Sequence, residues 1–140
     1  MWLKILALGI GGFIGSNLRY WICEWVTVHL HPHFPHGTLL VNAVGSFIIG
    51  FLIVVDAEAI QISPLLKISI ASGLIGALTT FSTFSMETFN FLRDSHYSSA
   101  VINIVLNVGI GLCAVELGFI VARALMVPVQ EIAMYKMITK

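Results

Sequence analysis

Four stretches without a charged side chain limit what this chain can fold into. They span residues 5–18, 37–55, 68–86 and 95–115. Each of the last three is close to the roughly 20 residues that a helix needs to cross the hydrocarbon core of a bilayer. The first reaches that length if Arg19 lies near an interface, where its aliphatic stem lets the charge reach water. The pattern predicts an all-α membrane protein with four transmembrane helices.

The composition agrees with a lipid environment. Of the 140 residues, 58% are hydrophobic and 10% are charged, and the mean hydropathy is +0.96. A soluble domain carries about 25% charged residues, so this chain has too little polar surface for water. The formal net charge is +0, which gives no reason to expect a nucleic-acid partner. The expected surrounding is the lipid bilayer.

Lysine and arginine are only slightly more numerous at one predicted end of the bundle than at the other. The end that holds the N-terminus collects Lys4, Lys67 and Arg123, with Lys136 and Lys140 in the tail, against Arg19 and Arg93 at the other end. The positive-inside rule would place the first end in the cytoplasm. Without the tail the bias is small, so insertion in both orientations is compatible with the sequence.

The motifs of the first predicted helix and of the loop after it are explained by helix packing and by a position at the membrane interface. Gly11 and Gly15 form a G-x-x-x-G pair in helix 1 (residues 2–27), which favours close packing of another helix. The loop HLHPHFPHG holds four histidines, at positions 29, 31, 33 and 36. Histidine clusters bind transition metals, but two prolines and the lack of a matching spacing favour an interfacial loop.

Amide side chains interrupt helices 2 and 4. Asn42 lies inside helix 2 (residues 37–55), while Asn103 and Asn107 are four apart in helix 4 (residues 97–123) and so share one face. An amide in hydrocarbon must find a partner. These residues either bond across the bundle or line a polar pathway.

The densest polar cluster is GALTTFSTFSM, residues 76–86, in helix 3 (residues 65–93). Its glycine and paired threonines weaken the helix near its middle. Either the helix is broken there, which membrane proteins tolerate where the backbone lines a cavity or binds an ion, or it is kinked and its hydroxyls bond back to their own carbonyls. Of the two, we predict a break near the middle of helix 3.

The polar groups of the three helices favour conduction over catalysis. The sequence has no nucleophile–base set, phosphate loop or cofactor fingerprint, so we do not expect an enzyme. Uncharged donors can bind a partly dehydrated ion weakly at several sites, as conduction requires. Phe81 and Phe84 are three apart, and the edge of a phenyl ring is positive. Rings flanked by hydroxyls therefore suit an anion.

Three segments resemble a known family. GGFIGSNLRY (11–20), GTLLVNAVGSFIIGF (37–51) and GALTTFSTFSMET (76–88) are similar to the signature segments of the Fluc/CrcB fluoride channels, over about residues 2–123. The resemblance implies a fluoride-selective channel that passively exports fluoride across the bacterial inner membrane and so lowers its intracellular concentration. It also implies an antiparallel, dual-topology homodimer with two narrow pores and a structural Na⁺ at its centre.

The resemblance further implies roles for individual residues. Phe81 and Phe84 would line the pores with Ser82 and Thr83, and Asn42 would donate to fluoride. Asn103 and Asn107 lie where the family has its polar track on helix 4. Arg19 would be the vestibule arginine and Glu87 would lie toward a pore mouth, while the carbonyls of Gly76 and Thr79 would bind the Na⁺.

Two other functions remain as alternatives. A small multidrug exporter is also a four-helix, dual-topology dimer, but it needs an acidic residue within helix 1, and here the first one is Glu24, near the end of that helix. A structural protein whose polar residues merely join helices is the other. We expect residues 1–125 to form the four-helix transmembrane channel subunit, and residues 126–140 to form a C-terminal tail on the membrane surface or without order.

Overall fold

A computed structural model describes the backbone of residues 1–30, 34–59 and 61–138. The regular secondary structure of these residues is all helical. Helix α1 is Trp2–His29 and α2 is His36–Val54, which continues as a π-helical turn, Val55–Ala59. Helix α3 consists of Pro64–Lys67, a π-helical stretch Ile68–Ile75 and a last α-helical turn Gly76–Leu78. Helix α4 is Phe81–Arg93 and α5 is Tyr97–Ile138.

Helices α2 and α5 pack against each other over a broad contact. Gly50 of α2 lies directly against the backbone of Val115, and Gly118 of α5 lies against the backbone of Phe47 and Phe51. A β-carbon at either glycine would overlap the facing chain, so small residues set the distance between these helices. This close approach brings the polar faces of α2 and α5 within hydrogen-bonding distance of one another.

Helix α1 packs mainly against the π-helical stretch of α3. Gly11 lies against the carbonyl of Ser69, and Gly15 against the carbonyl of Leu74. The G-x-x-x-G pair therefore serves close helix packing, as its sequence predicts. The π-helical winding of residues 68–75 has no sequence signal that we identified.

Helical structure stops after Leu78 and begins again at Phe81. Each half starts with a side-chain cap. The Ser63 hydroxyl accepts a bond from the Leu66 N–H at 3.4 Å, with Pro64 at the first helical position. The Thr80 hydroxyl accepts one from the Thr83 N–H at 3.2 Å. Caps of this kind satisfy the free N–H groups of a helix start, so α4 is a separate helix with its own beginning.

The C-terminal end of the chain differs from the prediction. Helix α5 does not end at Arg123 but runs to Ile138, so the backbone of residues 126–138 is helical. Pro128 does not stop the helix, in contrast to the usual effect of proline. In the histidine-rich loop, His31 and His33 lie outside the described residues.

In the part of the chain that the structure describes, three helical segments are long and apolar enough to cross a membrane. They are His36–Glu58, Pro64–Arg93, which includes the interruption, and Tyr97–Met126. Helix α1 has sufficient length, at 28 residues, but it carries Lys4, Arg19 and Glu24 and is not among them. Long apolar segments are what a lipid-embedded bundle requires.

Charged residues join α2, α3 and α5 at one end of the bundle. The Lys67 ammonium lies 2.6 Å from the Asp56 carboxylate, and the Arg123 guanidinium lies 2.9 Å from Glu58. Asp56 also accepts a bond from the Ile62 N–H at 3.0 Å. The end of α2, the start of α3 and the middle of α5 therefore lie together.

The contact between α2 and α5 predicts a difference between two glycines of α5. Replacement of Gly118 by alanine should lower the free energy of unfolding by about 1–3 kcal/mol, the usual cost of overpacking, because the new methyl group meets the α2 backbone. The measurement is thermal unfolding of the detergent-solubilised protein.

Gly109→Ala is the matched control, since a β-carbon there meets no atom within 4 Å. Alanine is intrinsically the better helix former, so this variant should be at least as stable as the parent. Equal stability of the two variants would contradict the packing described for Gly118.

Candidate functional site

The interruption between α3 and α4 is held by one amide side chain of α2. Thr79 (φ −80°, ψ 157°) and Thr80 (φ −151°, ψ 112°) are both extended. The Thr80 N–H donates to Asn42 Oδ1 at 2.8 Å, and Asn42 Nδ2 donates back to the Thr80 carbonyl at 3.3 Å. The Asn42 side chain thus satisfies both backbone groups of a residue that has left the helix.

Two carbonyl groups lose their helical donors as a result. In a continuous helix, the N–H of Thr80 would bond to the Gly76 carbonyl and the N–H of Thr83 to the Thr79 carbonyl. Instead, Thr80 donates to Asn42 and Thr83 donates to the Thr80 hydroxyl. The Gly76 and Thr79 oxygens are therefore left available, and carbonyl oxygens are ligands that hard cations prefer. The backbone of these two residues would thus offer oxygen ligands to a small cation.

The three predicted amides form one continuous network. Asn42 Nδ2 donates to Asn107 Oδ1 at 3.0 Å, and Asn107 Nδ2 lies 3.0 Å from Asn103 Oδ1. Asn103 is 0% exposed and donates to the Thr88 hydroxyl at 2.9 Å. The network therefore links α2, α5 and α4 through the interior, where every amide has a partner.

The hydroxyl groups at the start of α4 form a second cluster. Thr80 Oγ1 donates to Thr83 Oγ1 at 2.9 Å and lies 3.3 Å from Ser82 Oγ. Ser82 and Thr83 are exposed, whereas Thr80 is buried. Thr80 is thus the residue at which the hydroxyl cluster meets the amide network, because its backbone is bonded to Asn42.

The two phenylalanines border a cavity beside these groups. The Phe81 and Phe84 rings are 5.6 Å apart between centroids and inclined at 57°, and Phe81 is 80% exposed. They line a cavity of about 390 Å³ together with Asn42, Asn107, Gly76, Thr79 and Thr80. Two aromatic rings, two amides and the interrupted backbone therefore face one space.

Glu87 and Arg19 lie outside the cavity that Phe81 and Phe84 border. Thr38 Oγ1 donates to Glu87 Oε1 at 2.6 Å, while Glu87 Oε2 is buried without a hydrogen-bond partner among the described residues. Arg19 lines a separate cavity of about 350 Å³, which also reaches Thr80 and Thr83. Neither Glu87 nor Arg19 lines the cavity beside Phe81.

The structure therefore brings most of the predicted site residues together around Thr80. Thr80 was predicted as part of the polar cluster of helix 3 but was given no individual role, and Thr38 and Thr88 were not predicted. Thr80 and Thr88 flank FSTFS in the sequence, and a hydroxyl close to a predicted pore segment is the signal that could have found them. Thr38, in the first turn of α2, gives no comparable signal.

Comparison with known proteins places this geometry in a family. Residues 6–119 match the family described as "CrcB-like protein, Camphor Resistance (CrcB)". A protein of Roseiflexus sp. (strain RS-1) named "Fluoride-specific ion channel FluC" is 37% identical over 123 residues, which cover 88% of this chain and 99% of that protein.

Two further relatives carry the same name. The protein of a Nitratiruptor species is 48% identical over 104 residues, covering 74% of this chain and 80% of the relative. That of a Sulfurovum species is 44% identical over 121 residues, covering 86% of this chain and 94% of the relative. With its long apolar helices, the chain is a membrane protein that belongs to the CrcB-like family.

Proposed function

We propose that this protein is a fluoride-selective ion channel that passively exports fluoride across the cytoplasmic membrane of a bacterium. The observation that carries the proposal is the cavity in which the Phe81 and Phe84 rings face the Asn42 and Asn107 amides. The relatives named as fluoride-specific ion channels support it. Export would lower the intracellular fluoride concentration without a coupled substrate or energy source.

Fluoride is small and strongly hydrated, so a pore must replace its water with several donors. Asn42 Nδ2 makes a 3.0 Å bond to Asn107 and a longer one of 3.3 Å to the Thr80 carbonyl. The longer bond is the one that a passing anion would exchange. Ser82 and Thr83 supply hydroxyl donors, and the ring edges supply positive potential.

The same arrangement explains how binding stays weak enough for conduction. Asn42, Asn107 and the hydroxyl groups carry no net charge, and no lysine or arginine among the described residues lines the cavity beside the rings. An anion would therefore be held by several modest contacts and released from each in turn. A narrow passage disfavours the larger chloride ion. Asn103 and Thr88 fix the orientation of Asn107 behind it.

The proposed active form is an antiparallel homodimer with two pores. Phe81, at the interruption, is 80% exposed, and Gly76 beside it is also exposed, so a single subunit leaves one side of its site open. In the dimer all four transmembrane segments, α1 included, would cross the membrane, and Arg19 would lie in an aqueous vestibule. The weak lysine and arginine bias permits the two opposite insertions.

A structural Na⁺ is part of the proposal. The Gly76 and Thr79 carbonyls lack their helical donors, and the same carbonyls of a second subunit would complete an oxygen-lined site. A bound cation would offset the repulsion between carbonyl groups that approach one another at the dimer centre.

The alternatives are less well supported. A small multidrug exporter would need an acidic group within α1, and Glu24 lies in the last two turns of that helix. A purely structural role would not account for an exposed pair of aromatic rings beside amide donors. Proton-coupled cation uptake would favour the first alternative, and the absence of any ion flux the second.

The ring pair predicts a specific loss of flux. Phe81→Ile removes the aromatic edge and should slow fluoride efflux from liposomes about tenfold or more, because each ~1.4 kcal/mol added to a barrier slows passage tenfold. Phe89→Ile is the matched control, since Phe89 is exposed on the same helix and does not line the cavity. Equal efflux through the two variants, with both still dimeric, would contradict the proposed role of Phe81.

The proposed Na⁺ predicts ion-specific stability. A ligand present at about 100 times its dissociation constant stabilises the bound state by about 2.7 kcal/mol. Thermal dissociation of the detergent-solubilised dimer should therefore occur at a higher temperature in sodium than in choline at the same ionic strength. Identical melting in the two salts would contradict the cation site but not the fluoride pore.

A further inference from the structure

A third cavity, of about 420 Å³, lies where α1 ends, α2 begins and α4 ends. We call it the outer cavity. It reaches the hydroxyl cluster at Thr83, and it shares Cys23, Thr27, Thr38 and Thr83 with the cavity that contains Arg19. If the protein is the anion channel proposed above, on which this inference rests, the outer cavity is positioned as an entrance to the polar path.

The ionisable groups of the outer cavity come from each element around it. Helix α1 contributes the Cys23 thiol, α2 contributes His36, α4 contributes Glu87, and the turn after α4 contributes Asp94 and His96. Asp94 is paired with Arg93 at 3.0 Å. The neighbouring cavity adds Arg19 and Glu24, which are opposite in charge.

Glu87 makes this entrance unfavourable for an anion. Its Oε1 accepts a bond from Thr38, and its buried Oε2 has no partner among the described residues. An ionised carboxylate beside the path repels fluoride. Two imidazoles, those of His36 and His96, line the same cavity, and imidazole groups gain a positive charge between roughly pH 8 and pH 5.

The position of His36 is fixed by packing. Its ring lies 5.0 Å from the Phe34 ring, which in turn stacks on Phe91 at 6.2 Å. Gly37, the next residue, lies directly against Cys23 of α1. The imidazole is thus held at the cavity wall by two other elements.

We propose that the outer cavity is an anion-binding vestibule, which attracts a small anion when His36 and His96 are protonated. Two positive charges then offset the Glu87 carboxylate within a confined space, where clefts focus the electric field and raise the local concentration of the attracted ion. Acidification on the side that the cavity faces therefore increases the rate at which fluoride enters the path.

The test is the single-channel fluoride current of the full-length protein in planar bilayers at low ionic strength. A current measurement does not register the leak of neutral HF, because HF carries no charge, although this leak increases in acid. We expect the current at about pH 5.5 to exceed that at about pH 8 by about tenfold or more, the low end of the effect of charge steering on rates. In the double variant His36→Gln/His96→Gln the current should be the same at both pH values.

Two further variants sharpen the test. His29→Gln should keep the pH response, because His29 stacks on Trp25 at the same end of the protein and does not line the outer cavity. His96→Lys should raise the current at about pH 8 and so weaken the pH response, since the lysine charge does not depend on pH in this range. This second variant remains informative if the double variant does not fold.

The outcomes separate this inference from the proposed function. A parent current that is equal at both pH values would overturn the vestibule and leave the channel intact. A pH response that persists in the double variant would overturn it as well, and would point to Glu87 instead. Absence of fluoride current at any pH would overturn the proposed function and this inference together.

Discussion

The pair of hydrogen bonds between Asn42 and the backbone of Thr80 is the interaction on which the rest of the site depends. Inside a bilayer no water is available to satisfy a free N–H or carbonyl, and each such group costs several kcal/mol. A transmembrane helix can be interrupted only where something replaces its lost bonds. One amide side chain does so for Thr80, with bonds of 2.8 and 3.3 Å.

Three consequences follow from this single contact. The Gly76 and Thr79 carbonyls are released from the helix, α4 starts anew with Thr80 as its cap, and the Phe81 ring is turned outward beside Asn42. The contact in turn depends on the packing of α2 against α5, because Asn107 orients Asn42 from the other side. Glycines at positions 50 and 118, which carry no polar group themselves, therefore support the polar site.

The sequence allowed much of this to be predicted, for physical reasons. Asn103 and Asn107 are four apart, and helical periodicity alone puts them on one face. The apolar stretches predicted the helices, since lipid leaves few other structures for them. GALTT indicated where α3 loses its helical bonds, but the sequence left a kinked, continuous helix open, because propensity does not say which partner will accept the freed backbone groups.

Other features depend on contacts between distant residues and escaped prediction. The π-helical winding of α3 follows no local pattern, and the Thr38–Glu87 bond joins residues 49 apart. The continuation of α5 through Pro128 runs against the local signal for a helix end. The outer cavity is lined by residues from four separate segments, so its histidines gave no sign in the sequence of sharing a space with Glu87.

The most direct test of the central claim is the fluoride efflux of Asn42→Leu from liposomes. Leucine has the same number and branching of side-chain heavy atoms as asparagine but can neither accept from nor donate to Thr80. If the Asn42 amide holds the interruption and serves the anion, this variant should have lost its fluoride efflux while the purified protein remains helical. Efflux at the parent rate from Asn42→Leu would contradict the account.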